Sequence, residues 1–112
     1  MARRAYVYEA ELDLAPDADS RAPGGAVTVA LCGHWDHEGP CRWPHHSAID
    51  ADTEPARLRT VFACGADEVD AVHAAIDAAV RGGEQWTVRA SEHRAPRADE
   101  IALGERLAGS DD

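Results

Sequence analysis

The chain has 112 residues, of which 29 % are charged, and a formal net charge of -10; its 11 basic residues are all Arg, against 21 acids. That length makes one domain, 1–112, with a core that needs no disulfides. The acidic balance excludes nucleic acid, whose phosphates need clustered cations, and disfavours anionic membrane surfaces. The absence of Lys excludes lysine-based Schiff-base chemistry.

The opening MARRAYVYEAELDL carries basic residues but no apolar run, because Glu9, Glu11 and Asp13 interrupt it. It is therefore not expected to act as a signal peptide, and nothing later approaches the ~20 apolar residues of a membrane span. The expected location is the cytoplasm, where three cysteines read as ligands, thiols or core residues rather than as a disulfide framework.

Residues 5–14 alternate, with Tyr6, Tyr8, Ala10, Leu12 and Leu14 on one face and Glu9, Glu11 and Asp13 on the other. That is a half-buried strand. Residues 15–25 are a Pro/Gly/Asp loop, and AVTVALC at 26–32 reads as a second, central strand. Residues 33–55 have no period, and Pro40, Pro44 and Pro55 break any helix among them. They are expected to be one long Cys/His/Trp-rich loop. Residues 56–64, ARLRTVFAC, form a third strand with Leu58, Thr60, Phe62 and Cys64 inward.

A helix follows, capped by Asp67, stopped at Gly82-Gly83, and apolar along Val69, Val72, Ile76, Ala79 and Val80. QWTVRAS at 85–91 is a fourth strand, ADEIALGERLA a weakly amphipathic helix, and 104–112 a frayed tail. The order β-β-long loop-β-α-β-α predicts an α+β fold, a small two-layer sandwich with a mostly antiparallel four-stranded sheet and helices on one face. The last strand–helix–strand unit should be a right-handed crossover with its strands parallel, which resembles ferredoxin-like topology.

Cys32–His46, CGHWDHEGPCRWPHH, holds two of three cysteines, four of six histidines and two of three tryptophans. Zinc takes four Cys or His ligands, and short spacings let one turn supply two of them. Cys32-x-His34 and Cys41-x3-His45 make two such pairs, with His37 and His46 in reserve. Thiolate plus imidazole suits zinc better than magnesium or calcium, and metal binding would order so long a loop. A packed loop, or a Cys32–Cys41 disulfide, are the competing readings. Trp35 and Trp43 read as lids over the site.

The six residues CGHWDH, following an apolar run, resemble the HxHxDH metal motif of the metallo-β-lactamase superfamily with Cys in place of the first His. The resemblance implies His34 and His37 as ligands, but the chain is about half the length that fold needs. With an open coordination position, Asp36 or Glu38 would orient a metal-bound water, and the activity would be hydrolysis. The leading expectation is instead a closed, structural zinc site in a small accessory module that binds a protein partner or a second copy of itself. A metal carrier or sensor is the third.

Outside the loop, Cys64 is expected to be a core thiol, His73 a partly buried hydrogen-bonded histidine, and His93 a solvated one. Arg57, Arg59 and Arg89 are expected to pair with the acidic face of the first strand.

Overall fold

The computed structural model describes residues 4–32 and 43–109. Four strands, β1 (Arg4–Leu14), β2 (His45–Asp50), β3 (Ala56–Cys64) and β4 (Trp86–Arg94), form one sheet in the order β2-β3-β1-β4. Three helices, α1 (Ala22–Cys32), α2 (Val69–Arg81) and α3 (Ile101–Ala108), complete it, with a short 3-10 turn, Ala98–Glu100, leading into the last. The α+β class and the four-stranded sheet agree with expectation. Every neighbouring pair is antiparallel, so β3 and β4 run parallel to one another with β1 between them. The chain order β-α-β-β-α-β with this strand order is ferredoxin-like topology.

The segment 26–32, expected as a strand, is the body of α1. A short, continuous apolar run fits a buried strand and a buried helix equally. Here the lead-in decides between them. Asp19 Oδ1 accepts the Arg21 N–H at 2.9 Å, and the Asp19 carbonyl accepts the Ala22 N–H at 3.0 Å. Pro23 then stands in the first turn, where a missing N–H costs nothing. Pro23, Val27 and Leu31, four apart, are all buried toward the sheet. The β-branched Val27, Thr28 and Val29 are overruled by that packing.

Two further boundaries differ. The expected loop 33–55 contains β2, because His45, Ser47 and Ile49 alternate toward the core while His46, Ala48 and Asp50 are exposed. The expected tail at 104–112 is helical as far as Ala108, and Gly104 is buried. Glu68 rather than Asp67 precedes the first turn of α2, and its carboxylate accepts the Gly65 N–H at 3.0 Å.

The core lies between the sheet and the α1/α2 pair. Tyr8, Ala10, Leu12, Leu58 and Phe62 from the sheet meet Val27, Leu31, Val72, Ile76 and Val80, all essentially inaccessible. Burying a Val, Leu, Ile or Phe side chain stabilises by roughly 1.5–3 kcal/mol, so this slab carries the fold. Trp86 closes one end. Its indole N–H donates to the Val80 carbonyl at 2.7 Å, and its ring lies where a Cβ at Gly83 would stand, 2.0 Å away.

The opposite face of β1 and β3 is covered by α3, whose Gly104 lies against Ala5. Arg59 ties that helix down. Its guanidinium donates to Glu9 at 2.7 Å, to Glu100 at 2.7 and 2.8 Å, and to the Ala95 carbonyl at 3.1 Å. The Glu100 bonds hold the Arg59 pKa above its ordinary value, and the same contact holds Glu100 below its own. Arg57–Glu11 and Arg89–Asp13 pair as expected, at 3.8 and 2.8 Å.

Candidate functional site

The antiparallel arrangement sorts chain ends between two poles. The start of β2 and the end of β3 meet at one of them, with the start of β1 beside them. His45 and Cys64 are thus brought to one end of the sheet. The end of α1 lies there too, because Thr28, one helical turn before Cys32, touches His45. A strand over 26–32 antiparallel to β3 would end at the opposite edge of the sheet from Cys64; as a helix, the segment ends at the pole where Cys64 lies. Cys64 itself is buried, as expected.

His45 is the described histidine of the expected ligand set, and both its ring nitrogens are held. Nδ1 lies 3.2 Å from the Trp43 carbonyl, which accepts only, so Nδ1 carries the proton. Nε2 then presents its lone pair to the Thr28 hydroxyl at 3.1 Å. Thr28 Oγ1 also lies 3.2 Å from the Gly24 carbonyl, and one hydroxyl proton cannot serve both acceptors. Trp43 packs against the edge of the core. Beside His45, a groove of about 680 Å³ opens between α1 and β2, lined by Ser20, Arg21, Gly24, Thr28 and Ile49.

His46, a reserve ligand, is paired with Val61 and projects from the opposite face of β2, so it does not join His45. Position 32 is the last residue of α1. His34, His37 and Cys41, like Trp35, Asp36 and Glu38, lie outside the described residues. Among the described residues no three His, Cys, Asp or Glu side chains are grouped to hold a metal ion. A metal-holding set would therefore have to include side chains outside those described.

A second cluster was not legible in the sequence. Tyr8, fully buried on β1, donates its hydroxyl to Asp77 Oδ1 at 2.8 Å, and Arg81 Nε donates to Asp77 Oδ2 at 2.8 Å. Arg81 also reaches Ser91 on β4 at 3.2 Å. Burial, with the Asp77 bond, lifts the Tyr8 pKa well above its ordinary 10.0. Burial pushes the Asp77 carboxyl up, but hydrogen bonds from Arg81, Tyr8 and Ser91 outweigh it, and the pKa falls below the ordinary value. The His73 ring packs against Tyr8 and against His93, with centroids 5.1 and 3.7 Å away. Its Nε2 is buried with no hydrogen-bond partner among the described residues, unlike the hydrogen-bonded role expected of it. Burial, then the proximity of His93, lowers its pKa. Only spacing across β1, α2 and β4 creates this cluster, and no sequence window contains it.

No helix among the described residues is long and apolar enough to cross a membrane. No family profile, curated protein or solved structure matches the chain.

Proposed function

We propose that the protein is a small zinc-binding accessory module of a reducing compartment, the cytoplasm. A closed structural site would be made by Cys32, Cys41 and two loop histidines, with His34 and His45 completing the short pairs. The observation that carries the reading is the density of Cys, His and Trp in Cys32–His46. The state of His45 supports it. A ring whose Nδ1–H donates to a backbone carbonyl is fixed in the tautomer that offers Nε2, the orientation in which metal-bound histidines are usually held. Thr28 can release that nitrogen without being orphaned, because the Gly24 carbonyl is its alternative acceptor. A reducing compartment would favour thiolate ligation over a disulfide.

Elemental analysis of untagged protein, purified without added metal, tests this beside Cys41→Ser. About one zinc per chain, lost in the variant, is the expected result. Wild-type protein that is folded and metal-free, with every thiol reactive after denaturation, would overturn it. The groove beside His45 favours a second reading, a small hydrolase with an open zinc position. Three protein ligands plus exchangeable water in the zinc absorption spectrum would select it over the closed site. A metal carrier would instead lose its ion to a chelator while keeping its melting transition.

A further inference from the structure

We propose that two copies of this chain pair through β2, antiparallel about a two-fold axis at Ala48, to make one continuous sheet of eight strands. The two edges of the sheet are built differently. The β4 edge carries the devices that block strand addition: a register shift opposite Glu11/Leu12, and exposed charges at Arg89, Glu92 and Arg94. The β2 edge, His45–Asp50, has no bulge and no proline within it, and its mid-strand residues, Ser47 and Ala48, are uncharged.

Hydrogen-bond phase limits the register. The Ala63 N–H donates to the Pro44 carbonyl, so His46, Ala48 and Asp50 bond inward to β3. The backbone groups of His45, Ser47 and Ile49 therefore point outward, and only registers that oppose these odd positions to one another form bonds. One such register centres on Ala48. It opposes Ser47 to the second copy's Ile49, giving about four main-chain bonds, and places His46 across from the second copy's Asp50. The histidine–carboxylate contact occurs twice, once on each side of the axis. Both fall at non-hydrogen-bonded positions, where side chains come closest. The registers two residues away in either direction set Asp50 against Pro44 or against Ala48.

The surroundings fit a copy of the same acidic chain. Ala22–Cys32 contains no charged residue although 29 % of the chain is charged. Val29 on α1 is 45 % exposed, and α1 approaches β2 so closely that a Cβ on Gly24 would lie 3.3 Å from Ser47 Cβ. The added Ile49 would enter the groove beside Gly24 and Gly25, with an uncharged helix on each side of the axis. Two chains of charge -10 can meet there without opposing acids.

Sedimentation equilibrium of the full chain across micromolar to submillimolar concentrations tests the proposal. Wild type should sediment at twice the chain mass. His46→Asp sets two acids against two acids and should weaken association roughly a hundredfold, with an unchanged circular-dichroism spectrum. Exchanging the pair, His46→Asp with Asp50→His, should restore the dimer. Ser47→Pro removes an outward-facing donor, along with the inner-face hydroxyl contact to Thr60, and should give a folded monomer. A monomeric wild type at the highest concentration overturns the proposal. So does a dimer indifferent to both His46→Asp and Ser47→Pro.

Discussion

The imidazole of His73 stands edge-on to that of His93, with ring centroids 3.7 Å apart, and its Nε2 is buried without a hydrogen-bond partner among the described residues. The Asp70 and Asp77 carboxylates pull its pKa up, but burial and His93 pull harder, so the folded state favours the neutral ring. The unfolded chain takes up that proton near 6.5, before the folded one does. Stability is therefore whole above pH 6.5 and falls as the pH drops below it. His73→Leu should flatten this limb of a melting-temperature profile and cost little at pH 7.5, since it removes an unsatisfied nitrogen. An unchanged limb in the variant would show that another group titrates.

Tyr8→Phe should cost about 2 kcal/mol in urea unfolding, the range for a hydrogen bond to a charged acceptor in a buried site. The same site should keep Tyr8 from ionising in alkali. In ultraviolet titration, folded wild type and Tyr8→Phe should therefore show the same absorbance rise near pH 10, and the extra phenolate of wild type should appear only on denaturation. An ionisation near pH 10 in folded wild type that Tyr8→Phe lacks would contradict the Tyr8–Asp77 contact.

Arg59 is only about 10 % exposed and serves Glu9 and Glu100, which are 11 % and 14 % exposed. Arg59→Ala leaves both carboxylates buried without their main cation and should destabilise by about 3–5 kcal/mol. Arg59→Lys keeps the charge but loses the fork, and should recover only part of this. Because Arg59 holds Glu100 below its ordinary 4.5, that contribution is present above pH 4.5 and lost as the pH falls below it. The acid limb of the stability profile should shrink in Arg59→Ala. Arg21, 85 % exposed in its pair with Asp19, is the control, and Arg21→Ala should leave stability unchanged.

Gly104→Ala sets two effects against each other. Alanine favours a helix by about 1 kcal/mol over glycine. The new Cβ, however, would meet Ala5 Cβ at 2.7 Å, and overpacking costs about 1–3 kcal/mol. The crowding should win, leaving a net loss of about 1 kcal/mol and faster amide exchange in α3 than in α2. A stabilised variant would mean that α3 can slide outward freely.

The elements whose periods are set by one packed face were readable in the chain. In β1, Tyr8, Ala10 and Leu12 alternate with Glu9, Glu11 and Asp13, and in α2, Val72, Ile76 and Val80 recur four apart. The helix α1 was not, because Ala26–Leu31 is apolar at nearly every position and a pattern without a polar phase selects neither period. The short strand β2 was hidden for another reason. Its alternation spans six residues directly after Pro44, inside a stretch whose Cys and His content already called for a chemical explanation. His45 was legible as a candidate by its type, but its Thr28 and Trp43 partners depend on α1 being a helix.

The strand β1 bonds to both β3 and β4 and is the first of the four to leave the ribosome. Its nearest partner begins at Ala56 and its other partner at Trp86. Until β3 is made the future centre of the sheet has two bare edges, and until β4 is made it has one. The carboxylates of Glu9, Glu11 and Asp13, later matched to Arg59, Arg57 and Arg89, then stand uncompensated. Such like charges repel a second nascent β1. The acids that become cross-strand partners in the finished sheet would thus first serve as chaperones of their own strand.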